Sequence, residues 1–232
     1  MEVKVSFSPQ GKGEEVSLKI QKITEDRNVA IAKRFECDAK NIDVKVYNST
    51  GSLRVKLNPN DDQMGVYGGY IDGTDEILLA HPAAMQPVYK DNLDKEIIIL
   101  VDYCLTKFYI SKLYFPKTTD FKMYNKYISE ILAQVTSGNF REDIVKFEIK
   151  TYIEGKKCKK DKELLMVFYI MLLKSGLDFI YSHLDEIIRD EDITKTIFKI
   201  YKKSFSELIL QYQKELAEQD KKLAATFKPG RR

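Results

Sequence analysis

The sequence predicts an α+β protein: a small twisted β-sheet with an N-terminal helix, followed by a mainly helical C-terminal half. Three observations predict this. Short segments with an apolar residue at every second position lie within the first 80 residues, the period of half-buried strands. From residue 91 onward, apolar residues recur at the three- and four-residue spacing of helices. Finally, the stretch 92–115 contains neither Gly nor Pro, whereas Gly and turn-forming clusters punctuate the region before it. The expected organisation is an α+β N-terminal subdomain, 1–90, and a helical C-terminal subdomain, 91–232, packed as one compact unit.

Each element has its own signal. Val3, Val5 and Phe7 alternate with polar neighbours, giving a first strand. Val16, Ile20, Ile23, Ile31 and Phe35 follow helical spacing, so residues 11–37 should form one helix, a break near Asp26-Arg27-Asn28 being the alternative. Ile42, Val44 and Val46 alternate again, as do Leu53, Val55 and Leu57. The turn cluster "NSTGS" between them predicts a β-hairpin. "GVYGGYIDGTDEILLAHP" predicts a strand, a tight turn at Asp72-Gly73 and a second strand over Glu76–Ala80. A long helix then begins with Asp91 or Asn92 as its cap and Asp94 and Glu96 in its first turn. A second helix, "KMYNKYISEILAQVTS", ends at Gly138. "REDIVKFEIKTYIEG" fits a helix less decisively. A buried helix over 161–175 stops at Gly176, and "LDFIYSHLDEIIRD", "DITKTIFKIYKK" and "SFSELILQYQKELAEQDKKLAATF" are amphipathic helices. The tail "KPGRR" is expected to fray.

Composition limits the function classes. With 44% apolar and 31% charged residues, the chain has a globular profile. A net charge of +3 is too small to argue for nucleic acid. The longest apolar run, Leu164–Leu173, is half of what a bilayer needs, so no membrane span is expected. The alternating N-terminus is not a signal peptide, and Cys37, Cys104 and Cys158 form no CxxC pair or Cys/His cluster. A reducing, cytoplasmic location is therefore expected unless a leader has been removed.

The order of these elements resembles the gluzincin branch of the zincin metallopeptidases, and most closely the peptidase-MA-like group. Val66–Pro82, "VYGGYIDGTDEILLAHP", resembles the segment in which a glycine-rich turn leads to the strand beside the substrate. Lys126–Gly138, "KYISEILAQVTSG", resembles the helix that supplies the glutamate zinc ligand, at Glu130. Glu163–Ile187 and Thr196–Leu216 resemble the later helices. The resemblance implies a zincin-like fold and an H-E-x-x-H on the long helix, whose histidines four residues apart would face zinc while the glutamate activates water. Here that helix reads "IILVDYCLTKFY", with no histidine. In one register Asp102 and Thr106 stand at the histidine positions and Tyr103 at the glutamate. In the other Val101 and Leu105 take the histidine places and Asp102 the glutamate. Zinc needs about three good protein donors, so neither register holds it, and no cofactor or metal is expected.

The remaining candidates read mainly as structure. Asp102 lies within an apolar helix, where a charge needs a partner; it is expected to be a remnant acid bonded to a Tyr or Lys, with a catalytic role beside Glu130 as the alternative. His81 opens a loop after the edge strand, and His183 belongs to a solvated helix face. Cys104 is a core thiol. Cys158 is flanked by lysines that would lower an exposed thiol's pKa. Five lysines between Lys156 and Lys162, with the basic tail, form a patch without the interleaved aromatics of nucleic-acid grooves. The glycines of "GVYGGY" lack the strand–GxxxxGK–helix context of a phosphate loop. The expected function is that of a catalytically inactive metallopeptidase-like protein binding a peptide or protein partner along the 66–82 strand, or serving as a scaffold. The alternative is a hydrolase with an atypical carboxylate site, Asp102 and Glu130.

Overall fold

In the computed structural model the described residues are 1–8, 13–57, 67–71, 73–115, 123–156, 158–190 and 192–226. Contacts divide the chain into two compact units, Met1–Phe140 and Arg141–Arg232. The change of character expected near residue 90 is therefore not where the contacts divide. Of the two helices after it, α4 packs on the sheet and α5 packs on α4, so both belong to the first unit.

The first unit runs β1 (Val3–Ser8), α1 (Glu14–Arg34), β2 (Ile42–Tyr47), α2 (Thr50–Leu57), β3 (Gly68–Tyr70), β4 (Glu76–Ala80), α3 (Pro82–Tyr89), α4 (Leu93–Tyr114) and α5 (Met123–Ser137). The four strands form one sheet in the order β1-β2-β4-β3, with β1-β2 and β2-β4 parallel and β3 antiparallel to β4. The α+β expectation holds at this level. The register aligns Val5 with Val44 and Val44 with Ile77, so one face is a continuous apolar surface. A Cβ on Gly68 would meet Leu100 of α4 at 3.4 Å, whereas one on Gly69 would meet Leu57 of α2 at 2.4 Å. Consecutive strand residues face opposite sides, so α4 and α2 cover opposite faces of the sheet. The two glycines let both helices approach the short edge strand.

Four points of the sequence expectation are settled here, three of them as changes. The hairpin over 42–57 is absent: β2 lies between β1 and β4, and residues 50–57 form α2. Ser49 starts that helix, its Oγ accepting from the Ser52 amide at 3.2 Å. The apparent alternation of Leu53, Val55 and Leu57 misleads because Leu53 is fully buried while Val55 is 78% exposed; Leu53 and Leu57 are four apart and share a helix face. Second, of the two alternatives for α1 the single helix is the one that forms, unbroken through 26–28, with Arg27 and Asn28 both finding partners across the core. Third, the segment after His81 is helical: His81 Nδ1 accepts from the Ala83 amide at 3.1 Å, and Pro82 sits at the first helical position. The strand–turn–strand over 68–80 stands as expected, with Gly73 at φ +80°; its partner in that turn, Asp72, lies outside the described residues, as does the tail "KPGRR".

The second unit is α6 (Glu142–Ile153), α7 (Lys160–Ser175), α8 (Leu177–Ser182), α9 (Leu184–Asp190), α10 (Ile193–Tyr201) and α11 (Phe205–Thr226). Its buried residues include the run Met166–Met171 of α7, with Val145, Ile149, Ile180, Ile187, Ile197 and Ile209 on the other helices. The fourth point is that 177–190 is two helices rather than one. His183 lies between them, half-buried, its ring 4.2 Å from that of Phe179 and its Nδ1 2.9 Å from the Phe179 carbonyl. It serves the helix junction and is not a solvated helix-face residue. Among the described residues, no helix is long and apolar enough to cross a membrane.

Candidate functional site

Helix α4 is the spine of the first unit. Residues 100–106 are all buried, so every polar group there must be matched by a neighbouring element. Two such neighbours do this on different sides.

Toward α1, Asp102 is held by a fork: Arg27 Nε donates to Oδ1 at 2.6 Å and Nη2 to Oδ2 at 2.7 Å. The Asp102 side chain is 6% exposed and that of Arg27 36%, so the pair has a dry end and a wet end. Burial raises the Asp102 carboxyl above its ordinary value, opposed by the Arg27 hydrogen bonds and charge. Two turns on, Tyr109 donates to Asn28 Oδ1 at 2.5 Å and accepts from the Lys40 amide at 3.0 Å, while Asn28 Nδ2 donates to the Lys40 carbonyl at 2.9 Å. The Asp102 partner is thus an arginine, not the Tyr or Lys expected. Thr106 is also committed, its hydroxyl donating to the Asp102 carbonyl at 2.8 Å.

Toward α5, Glu130 meets a different set. Tyr103 donates its hydroxyl to Oε2 at 2.6 Å, Lys107 its ammonium to the same oxygen at 3.2 Å, and Gln134 its amide to Oε1 at 3.0 Å. Lys107 lies 5.4 Å from the centre of the Tyr103 ring, within cation–π range. Both charged side chains are about one-sixth exposed, 16% and 15%. Burial alone would raise the Glu130 carboxyl. The Lys107 charge and the Tyr103, Gln134 and Lys107 hydrogen bonds outweigh it, so it lies below its ordinary value.

Neither sequence register pairs the two residues that meet Glu130. The two α4 side chains that reach Glu130 are Tyr103 and Lys107, four residues apart. They stand one residue beyond the 102/106 pair and two beyond the 101/105 pair. Tyr103 is common to the expected site and the observed one, while Lys107 and Arg27 escaped the sequence reading. The signal for Lys107 was its i, i+4 spacing from Tyr103; that for Arg27 was a charged residue in the middle of a buried helix face. The zinc that the resemblance implies does not fit this donor set: an ammonium, a phenol and one carboxylate supply a cation already in place instead of three ligands. Among the described residues, no group of three His, Cys, Asp or Glu could hold a metal ion.

The thiols follow burial. Cys104 is fully buried and pushed up to about 12, an inert core group. Cys158 is pushed up to about 11 by burial together with Glu163, Glu148 and Asp161. This reverses the expected lysine effect, because burial first, and the acidic neighbours in the fold second, outweigh the basic neighbours. Comparison with protein-family models, with curated proteins and with solved structures finds no match for the chain.

Proposed function

We propose that the chain is a catalytically inactive, metallopeptidase-like protein that binds an extended peptide or protein segment along the 66–82 strand. The observation that carries this reading is the Tyr103–Glu130–Lys107 cluster. At the place where the resemblance puts a zinc ligand, the carboxylate is neutralised by an internal ammonium and a phenol hydroxyl. A carboxylate so held is a weak base, because its negative charge is already stabilised. The reading is supported over the carboxylate alternative by the partners of both acids, Arg27 for Asp102, and Lys107 and Tyr103 for Glu130.

Binding needs less than catalysis. β3 is the last strand of the sheet order, antiparallel to β4. The Ala80 amide donates to the Tyr67 carbonyl at 2.7 Å. Antiparallel partners alternate between bonded and non-bonded pairs, so the Gly69–Leu78 pair faces inward and the main-chain groups of Gly68 face away from β4. An added strand would take those groups, with α4 beneath one face and α2 beneath the other.

The reading is tested by screening an array of extended peptides and mapping the best binder by amide chemical shifts. Shifts at Gly68 and Gly69 are expected. Binders that leave both amides unmoved would overturn the assignment of the strand. Cleavage of an unfolded protein substrate that disappears in Glu130→Gln would overturn the assignment of inactivity.

A further inference from the structure

A feature independent of that reading lies on the outer face of α1. Glu14, Leu18, Lys22, Glu25, Val29 and Lys33 fall within about 100° of arc on a helix at 100° per residue, one continuous stripe. The helix is 21 residues long, about 31 Å at 1.5 Å per residue. Leu18 is 61% exposed and Val29 54%, while Glu14, Lys22 and Lys33 are exposed and Glu25 is half-buried. The Glu25 carboxylate accepts from Gln21 at 2.9 Å. Among the described residues, none of the four charges is in an ion pair.

The stripe is its own complement when turned end for end. Glu14 and Lys33 are equidistant from the stripe's midpoint between Ile23 and Thr24. So are Leu18 and Val29, and so are Lys22 and Glu25. A two-fold axis at that midpoint places acid against base at both ends, leucine against valine inside them, and lysine against glutamate in the middle. Residue i meets j while j meets i, the condition for a closed two-fold interface. These six positions match with no like-charge opposition, Glu15 at the stripe's edge falling opposite the buried Ala32, whereas a shift of the register by four residues sets both Leu18 and Val29 against charges. The surface also has relief at one end: a depression of about 610 Å³ is lined by Val29 and Lys33, with Ala32 and Cys37 beside them. In the paired arrangement it receives the partner's Leu18 end.

We propose that α1 is a self-association surface, and that the partner it fits is a second copy of this chain with its α1 antiparallel. The contact is one helix face wide, so the dimer is weak and exchanging, below the size of obligate interfaces. Screening by salt follows from the four ion pairs, two at the ends and two in the middle.

Sedimentation velocity on the full chain tests this, from about 10 μM to about 1 mM, a span that covers micromolar to millimolar dissociation constants. A monomer–dimer equilibrium is expected that weakens with added salt. Lys22→Glu places glutamates opposite each other twice per dimer, and Glu25→Lys does the same with lysines; each should weaken the dimer about tenfold. The double exchange Lys22→Glu with Glu25→Lys restores opposite charges across the axis and should return the wild-type constant. Leu18→Glu should abolish dimerisation. All these side chains are solvent-accessible, and an unchanged melting temperature verifies the fold. A monomer throughout the range, or a dimer unaffected by Leu18→Glu, overturns the proposal. A double exchange no stronger than the single ones overturns the antiparallel register.

Discussion

Asp102 and Glu130 are both buried carboxylates in the core of the first unit, and both face a cation, yet they sit on opposite sides of their ordinary acidity. Asp102 has the better geometry, a two-point fork from Arg27, and its carboxyl is nonetheless raised. Glu130 has a single ammonium at 3.2 Å and two neutral donors, and its carboxyl is lowered. The difference teaches that a fork does not by itself offset desolvation. The number of donors brought to both oxygens, and the cation's own burial, decide the sign. Arg27 keeps a wet end and spends part of its field on solvent, whereas Lys107 is enclosed with its carboxylate. The first pair locks α1 to α4. The second neutralises the place where chemistry would otherwise be sought.

The largest effect should come from cutting the fork at its wet end. Arg27→Met leaves Asp102 buried and unpaired, and should cost about 3 kcal/mol at neutral pH, the lower range for breaking a buried pair because Arg27 is a third exposed. The sign with pH follows from the direction of the shift. A carboxyl raised in the folded state is most favourable to folding below its unfolded value, 3.8, and loses that contribution as pH rises through its folded value. Removing Arg27 raises it further, so the penalty should shrink markedly between pH 7 and pH 4. Urea denaturation at the two pH values measures this. An equal penalty at both would break the comparison. Arg27→Met with Asp102→Leu should recover most of the loss, since a packed apolar pair can replace a buried ionic one.

Glu130 should behave in the opposite sense. A carboxyl lowered in the folded state contributes stability that is present above its unfolded value, 4.5, and is lost as pH falls through the folded value. Glu130→Gln removes that contribution. The variant should be less stable than the wild type by about 1–2 kcal/mol at pH 7, and the two curves should converge below pH 4.5. Denaturation profiles that stay parallel to pH 3 would mean that Lys107 and Tyr103 do not hold the carboxylate ionised.

What could be read from the sequence divides along the same line. The strands over 3–8, 42–47, 68–70 and 76–80 and the long helices were legible because their signals are local: alternation, glycine turns and uninterrupted apolar spacing. Residues 53–57 misled because three apolar residues in alternation suit a strand, and only the parallel β2-β4 pairing, with partners 33 residues apart, removes the place that strand would have taken. The site was half legible. Tyr103 and Glu130 lie on helices that the sequence marks, and both were named. Their joining to Lys107 depends on which face of α4 meets α5, and an apolar helix buried on nearly all sides gives no moment from which to read that face. Arg27 was invisible for the same reason: its partner is 75 residues away.

The smallest effect concerns the donor farthest from any charge. Gln134 lies one turn beyond Glu130 on α5 and gives its amide to the oxygen that Lys107 and Tyr103 do not touch. If the number of donors, and not the ammonium alone, sets the sign at Glu130, then Gln134→Met should cost about 0.5–1 kcal/mol at pH 7 and move the acid limb of the stability profile to higher pH. The direction follows because losing a donor to the ionised form lets desolvation reclaim part of the shift. A variant with wild-type stability and an unmoved acid limb would place the whole effect on Lys107, and the contrast with Arg27 would then rest on cation burial alone.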